Sequence, residues 1–160
     1  MKILFYLILL TISIFAKSNF TEKRYFYTLD KTTIFKGSVD IVDDTSMVVS
    51  YTSPINKRLI QEGNTLTIED LDEKKTQVLD LSKRRDMNMY FSFMRAINKK
   101  DFEALNRYFD IAKKDLSYSL SPKSKIKKVI EKMDIVMRGD VIYKMVIYFK
   151  NRDTIEITIP

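Results

Sequence analysis

The sequence predicts a mainly β protein, built as an antiparallel meander of about eleven strands with one helical insertion. Three observations carry this. Short runs with period-two apolar alternation recur along most of the chain. Turn residues separate them at short, even intervals, which suits hairpins rather than βαβ units. The alternation is interrupted once, after residue 86, by apolar residues at helical spacing.

In chain order, the first strand is read over Tyr25, Tyr27 and Leu29, the second over Phe35, Gly37, Val39 and Ile41, and the third over Met47, Val49 and Tyr51. Alternation of this kind places one set of side chains on one sheet face. Asp30-Lys31 and Asp43-Asp44-Thr45 supply the turns. Arg58 to Glu62 and Thr65 to Glu69 form a hairpin through Gly63-Asn64, a pair compatible with positive φ. After the charged Asp70 to Lys75 turn, Lys75 to Leu81 makes a sixth strand. Met87, Tyr90, Phe91, Met94 and Ile97 then follow helical spacing and define one face of a helix. Asp101 caps a second, short helix carrying Phe102, Leu105 and Tyr108. Strands resume at Arg107 to Ala112 and Leu116 to Ser121, with Pro122 as a stop and Lys123 to Ile130 as a basic linker. Met133 to Arg138 and Val141 to Phe149 pair around Gly139-Asp140, and Thr154 to Ile159 closes the chain with Ile155, Ile157 and Ile159 on one face. Val141 to Phe149 is apolar at nearly every position, which predicts a central strand covered on both faces.

The N-terminus has the pattern of a secretory signal peptide: Lys2, an apolar run from Ile3 to Phe15, then Ala16 before a polar stretch. That run is shorter than the roughly 20 residues a helix needs to span a bilayer. The expected organisation is a signal peptide over 1–16 and a single domain over 17–160, soluble in the periplasm. With no cysteine in the chain there is no disulfide framework and no lipid anchor on a cysteine.

Composition narrows the chemistry. No histidine or cysteine is present, so neither a histidine-assisted nucleophile nor a thiolate or imidazole zinc site can be assembled. Three isolated glycines cannot make a phosphate-cradling loop. The acids Asp43-Asp44 and Glu69, Asp70, Asp72 and Glu73 fall in predicted turns, where solvation is their ordinary role. A hydrolase needs two of them to converge on one pocket. The reading is a binding protein rather than an enzyme, without cofactor or metal. The net charge of +7 suits solubility and also an anionic membrane surface. Its basic clusters are not interleaved with aromatics in the manner of nucleic-acid binders. The methionine-rich helix admits two roles: a fixed cover over the core, or a movable lid whose flexible side chains adapt to apolar ligands.

Several segments, in order, resemble the LolA family of periplasmic outer-membrane lipoprotein carrier proteins, in a divergent branch. Phe20-Thr21-Glu22-Lys23-Arg24 resembles the family's Phe-x-Gln/Glu-x-Arg opening, Phe35-Lys36-Gly37 its second strand, and Thr52-Ser53-Pro54 the end of its third. Gly63 to Leu66, Leu116 to Pro122, Ile135 to Ile142 and Asp153 to Ile159 resemble later segments. The resemblance implies an incomplete β-barrel whose concave apolar face is covered by helices. It implies a monomer that binds acyl chains of lipoproteins or related lipids and delivers them from an inner-membrane donor complex to an outer-membrane acceptor, with transient membrane-surface contact. A non-transporting lipid-binding sensor of the same fold is the alternative. The expected acyl-binding set is Tyr25, Tyr27, Phe35, Val39, Ile41, Met47, Val49 and Tyr51 from the sheet, with Met87, Phe91 and Met94 from the lid. Two features depart from the family pattern: Asp43-Asp44-Thr45 stands where carriers place a lid-holding arginine, and Val49 lies near the position of their tryptophan.

Overall fold

The computed structural model describes residues 17–123 and 126–160. The expected signal peptide lies outside the described residues, as do Ser124 and Lys125 of the basic linker and the side chain of Tyr90.

Among the described residues eleven strands form one sheet: β1 (Ser18–Phe26), β2 (Lys31–Ile41), β3 (Ser46–Ser53), β4 (Lys57–Glu62), β5 (Thr65–Asp70), β6 (Lys75–Asp80), β7 (Phe109–Lys114), β8 (Ser117–Pro122), β9 (Ile130–Arg138), β10 (Val141–Phe149) and β11 (Thr154–Thr158). Between β6 and β7 lie helices α1 (Arg85–Asn98) and α2 (Phe102–Asn106). The strand order is β6-β5-β4-β3-β2-β1-β11-β10-β9-β8-β7, and every pairing is antiparallel. Two meanders are therefore joined at the centre by the pairing of β1 with β11. The sheet does not close; β6 and β7 are its two edges, and the helical insertion links them. This is the incomplete barrel with a helical insertion that the sequence implies. Among the described residues no helix is long and apolar enough to cross a membrane.

Register fixes the inner face. Phe20 and Glu22 of β1 lie opposite Gly37 and Phe35 of β2, and Val39 and Gly37 lie opposite Val49 and Tyr51 of β3. On the other side Glu22 faces Ile157 of β11, which in turn faces Met145 of β10. Gly37 has a specific reason to lack a side chain. A Cβ there would lie 2.2 Å from the Ser50 carbonyl oxygen and 2.8 Å from the Phe20 ring, which crosses this strand. The helices bring Phe91, Ile97 and Leu105 into a core shared with Met47, Leu66, Phe109, Leu120, Met133 and Ile135.

The expected first strand is corrected. Its inner residues are Phe20, Glu22 and Arg24, not Tyr25, Tyr27 and Leu29. Phe26 pairs with Lys31, so the strand ends there, and Tyr27–Leu29 form a 3-10 turn closed by Asp30 at φ 43°. A buried carboxylate broke the alternation that would have revealed the true phase. The strand read from Arg107 begins instead at Phe109, because the Tyr108 N–H still bonds to the Leu105 carbonyl of α2. β10 is an interior strand as expected, flanked by β9 and β11. Only one of its faces is fully covered: Ile142, Met145 and Ile147 are buried, while Val146 and Tyr148 are half-buried. A bulge between Ile142 and Lys144 shifts the phase, so that Ile142 and Met145 both turn inward.

Candidate functional site

Helix α1 crosses the inner face, and between the two lie two adjoining apolar cavities. Each holds ≈ 30 Å³, room for about two water molecules. Val39, Met94, Ile157 and Ile159 line both. The first extends to Phe20, Glu22, Val49 and Tyr51, and the second to Ile97, Ile142 and Met145. Met94 is the residue of α1 that lines both, so the two read as one seam of incompletely filled space. Its unbranched side chain is suited to that position, since it can change rotamer without moving the helix.

The structure sorts the expected binding set. Val39, Val49, Tyr51 and Met94 line the cavities, and Phe35 meets Tyr51 edge-on at 5.9 Å. Ile41, Met47 and Phe91 are buried in the adjoining core, and Met87 packs against it half-buried. Tyr25 and Tyr27 do not join them. Tyr25 is an odd-numbered β1 residue and lies on the outer face, and Tyr27 sits in the turn, 45% exposed. The cavities also recruit residues outside the expected set: Phe20, Glu22, Ile97, Ile142, Met145, Ile157 and Ile159. The inward phase of Ile157 and Ile159 was legible in the sequence. That of Phe20 and Glu22 was visible only as part of the Phe-x-Glu-x-Arg segment.

One polar cluster interrupts this apolar lining. The Glu22 side chain is 3% exposed and pairs with the Arg24 guanidinium. The Tyr51 hydroxyl donates to Glu22 Oε2 at 3.1 Å and accepts from an Arg24 terminal nitrogen at 3.2 Å. Arg24 also lies 4.5 Å above the Phe35 ring. Charge pairing, hydrogen bonding and a cation–π contact together allow a carboxylate to sit in an otherwise greasy wall.

A second polar set ties α1 down at its C-terminal half. Arg95 donates to the buried Gln61 of β4, whose amide donates in turn to the Gly63 carbonyl at 3.0 Å. Burial holds the Arg95 guanidinium below its ordinary pKa, and the Asp43 carboxylate opposes that shift. Just beyond the helix, Lys99 pairs with Asp44. The β2–β3 turn is itself braced, because Asp43 accepts from the Thr45 N–H at 2.7 Å and from its hydroxyl at 3.0 Å. These bonds pull the Asp43 carboxyl below the usual carboxylate range. Asp43 and Asp44 of the β2–β3 turn therefore face cations on and just after the helix.

This combination defines a class: an open antiparallel sheet with a helical cover over an apolar seam. Among solved structures, the chain is similar to a LolA superfamily protein from Nitrosomonas europaea, with 11% identity, a TM-score of 0.42, and coverage of 90% of this chain and 83% of that one. It is also similar to a domain described as an outer membrane lipoprotein-sorting protein from Vibrio parahaemolyticus, with 8% identity, a TM-score of 0.44, and coverage of 89% and 82%. No family model and no curated protein matches the chain.

Proposed function

We propose that this protein is a periplasmic carrier that takes acyl chains of lipoproteins or related lipids into the seam between α1 and the inner face and delivers them toward the outer membrane. The observation that carries the reading is the seam itself: apolar, incompletely filled, and lined from above by the flexible Met94 of a helix held by its buried Phe91 and Ile97 and a few side-chain bonds. The Phe20 to Arg24 opening and the other segments that resemble lipoprotein carriers support it. Binding requires α1 to lift, since the present cavities hold only ≈ 30 Å³ each. Each methylene buried contributes about 0.8 kcal/mol, so a chain of ordinary length offsets the loss of the helix's own contacts. Release becomes feasible because closure recovers those contacts.

The test is transfer of a fluorescent fatty-acyl probe from vesicles to the protein. Wild type should acquire the probe. Val49→Asp, which charges the buried wall, should abolish uptake. Met94→Glu should reduce it at least tenfold, and being at a half-buried site it leaves the sheet folded. Well-folded wild type that takes up no probe would refute the proposal.

A further inference from the structure

Three connections meet at one end of the sheet and form a tip unlike the opposite end. The β1–β2 turn carries Tyr27 and Leu29, 45% and 70% exposed, and the segment entering β9 carries Val129, 59% exposed. Exposed cations surround them: Lys31, Lys127, Lys128, Lys150 and Arg152. The segments are bonded to one another. The Tyr27 N–H donates to Asp153 Oδ1 at 2.8 Å, Arg152 donates to the Tyr27 hydroxyl at 2.6 Å, and the Lys150 N–H donates to the Val129 carbonyl at 2.9 Å. Of the acids nearby, Asp30 accepts from the Tyr25 hydroxyl and Asp153 is engaged with Tyr27 and Asn151, leaving Glu131 as the exposed acid of β9. Four strand spacings separate β2 from β9, so the tip is roughly 20 Å across.

We infer that this tip is a docking surface for an anionic lipid bilayer. Exposed Leu, Tyr and Val set among lysines fit the boundary between headgroups and acyl chains, where apolar side chains enter and cations meet lipid phosphates. A flat acidic protein would use the lysines but would leave Leu29 and Val129 in water. The opposite end also exposes apolar residues (Val42, Leu116 and Val141), but there the exposed cations Lys113, Lys114 and Arg138 are interspersed with the acids Asp43, Asp44, Asp115 and Asp140. The surplus of exposed cations over acids is therefore greater at the first end, where Lys31, Lys127, Lys128, Lys150 and Arg152 cluster. The inference does not depend on acyl binding in the seam, although it would bring the seam's owner to a membrane.

The chain contains no cysteine, so one can be introduced at will. Leu29→Cys and, as the control at the other end, Val141→Cys would each be labelled with an environment-sensitive dye. Phosphatidylglycerol/phosphatidylcholine vesicles should blue-shift the dye at 29 and leave that at 141 unchanged, and pure phosphatidylcholine should shift neither. Reversing Lys127, Lys128 and Lys150 to Glu should weaken vesicle binding at least tenfold, since each cation near an anionic surface is worth about fivefold. The reversed variant should still acquire the acyl probe in vesicle-free buffer. An unshifted dye at 29, equal shifts at both ends, or a shift untouched by the charge reversal overturns the inference. So does a shift produced as strongly by polyglutamate, which would assign the tip to an acidic protein. A shift at 29 in a protein that takes up no probe would reject the carrier reading and leave this one standing.

Discussion

Strand β2 runs between two turns that use charge in opposite ways. At its end, the Asp43–Thr45 turn keeps its acids exposed but gives each a partner within the molecule: Asp43 braces the turn, and Asp44 meets Lys99 just past α1. At its start, the Tyr27–Asp30 turn secures itself against Asp153 and Arg152 and leaves Leu29 outward beside Lys31. Both turns are small and polar by composition, and hydropathy alone does not separate them. What separates them is the neighbour that the topology supplies. A helix end lies over one, and two other connections lie beside the other. The first turn can serve as part of a clasp and the second as part of a surface.

The strand between the two turns is the most sensitive to substitution at its middle. Gly37→Ala puts a methyl group against the Ser50 carbonyl and the Phe20 ring, so β2 must shift relative to β1 and β3. A loss of about 3 kcal/mol is expected, read by urea denaturation. Glu22→Ala should cost somewhat less, about 2 kcal/mol, because it strips a buried acceptor from Tyr51 and Arg24 while water can still reach the partly exposed guanidinium. Glu22→Gln should recover part of that loss. Smaller still is release of the clasp. Arg95→Ala with Lys99→Ala should lower global stability by about 1 kcal/mol, yet raise amide exchange in α1 well above that in β2 and speed acyl-probe uptake. Exchange that rises equally everywhere would show that α1 does not open separately.

The smallest effect sharpens the contrast by pH. Hydrogen bonds from Thr45 lower the Asp43 pKa in the folded chain, so its contribution is fully present above the unfolded value near 4 and is lost as pH falls through the lower, folded one. Asp80, lowered chiefly by Ser82 ahead of α1, behaves in the same sense. Thermal melts of Asp43→Asn should therefore fall less steeply below about pH 4 than those of wild type, whereas Lys31→Gln at the other turn should leave that slope unchanged.

Much of the sheet was legible because most strands keep one apolar face in strict alternation, as Val39–Ile41 and Ile155–Ile157 do. β1 was not, because its inner row contains Glu22 and Arg24. A charge network that satisfies itself inside the wall looks, in one dimension, like a solvent face. The cavity lining was legible where it came from alternating strands, and it was missed where a bulge moved Ile142 and Met145 into one phase. Of the clasp, only Asp43-Asp44 stood out in the sequence, and nothing there pointed to their partners. Gln61, Arg95, Lys99 and Asp44 come from distant parts of the chain, and only the fold brings them together.

The central pairing of β1 with β11 has a consequence for how the chain comes to exist. Each meander can zip from its own hairpins soon after it is made, but neither can complete its middle until the last strand arrives. Contacts spanning nearly the whole length of the chain are slow to form. Until β11 is available, β1 and β10 each present an open edge. The segment that begins the chain's folded part pairs at once with β2 but waits longest for its second partner, and the integrity of the seam rests on residues that any machine handling the chain from its N-terminus would release last.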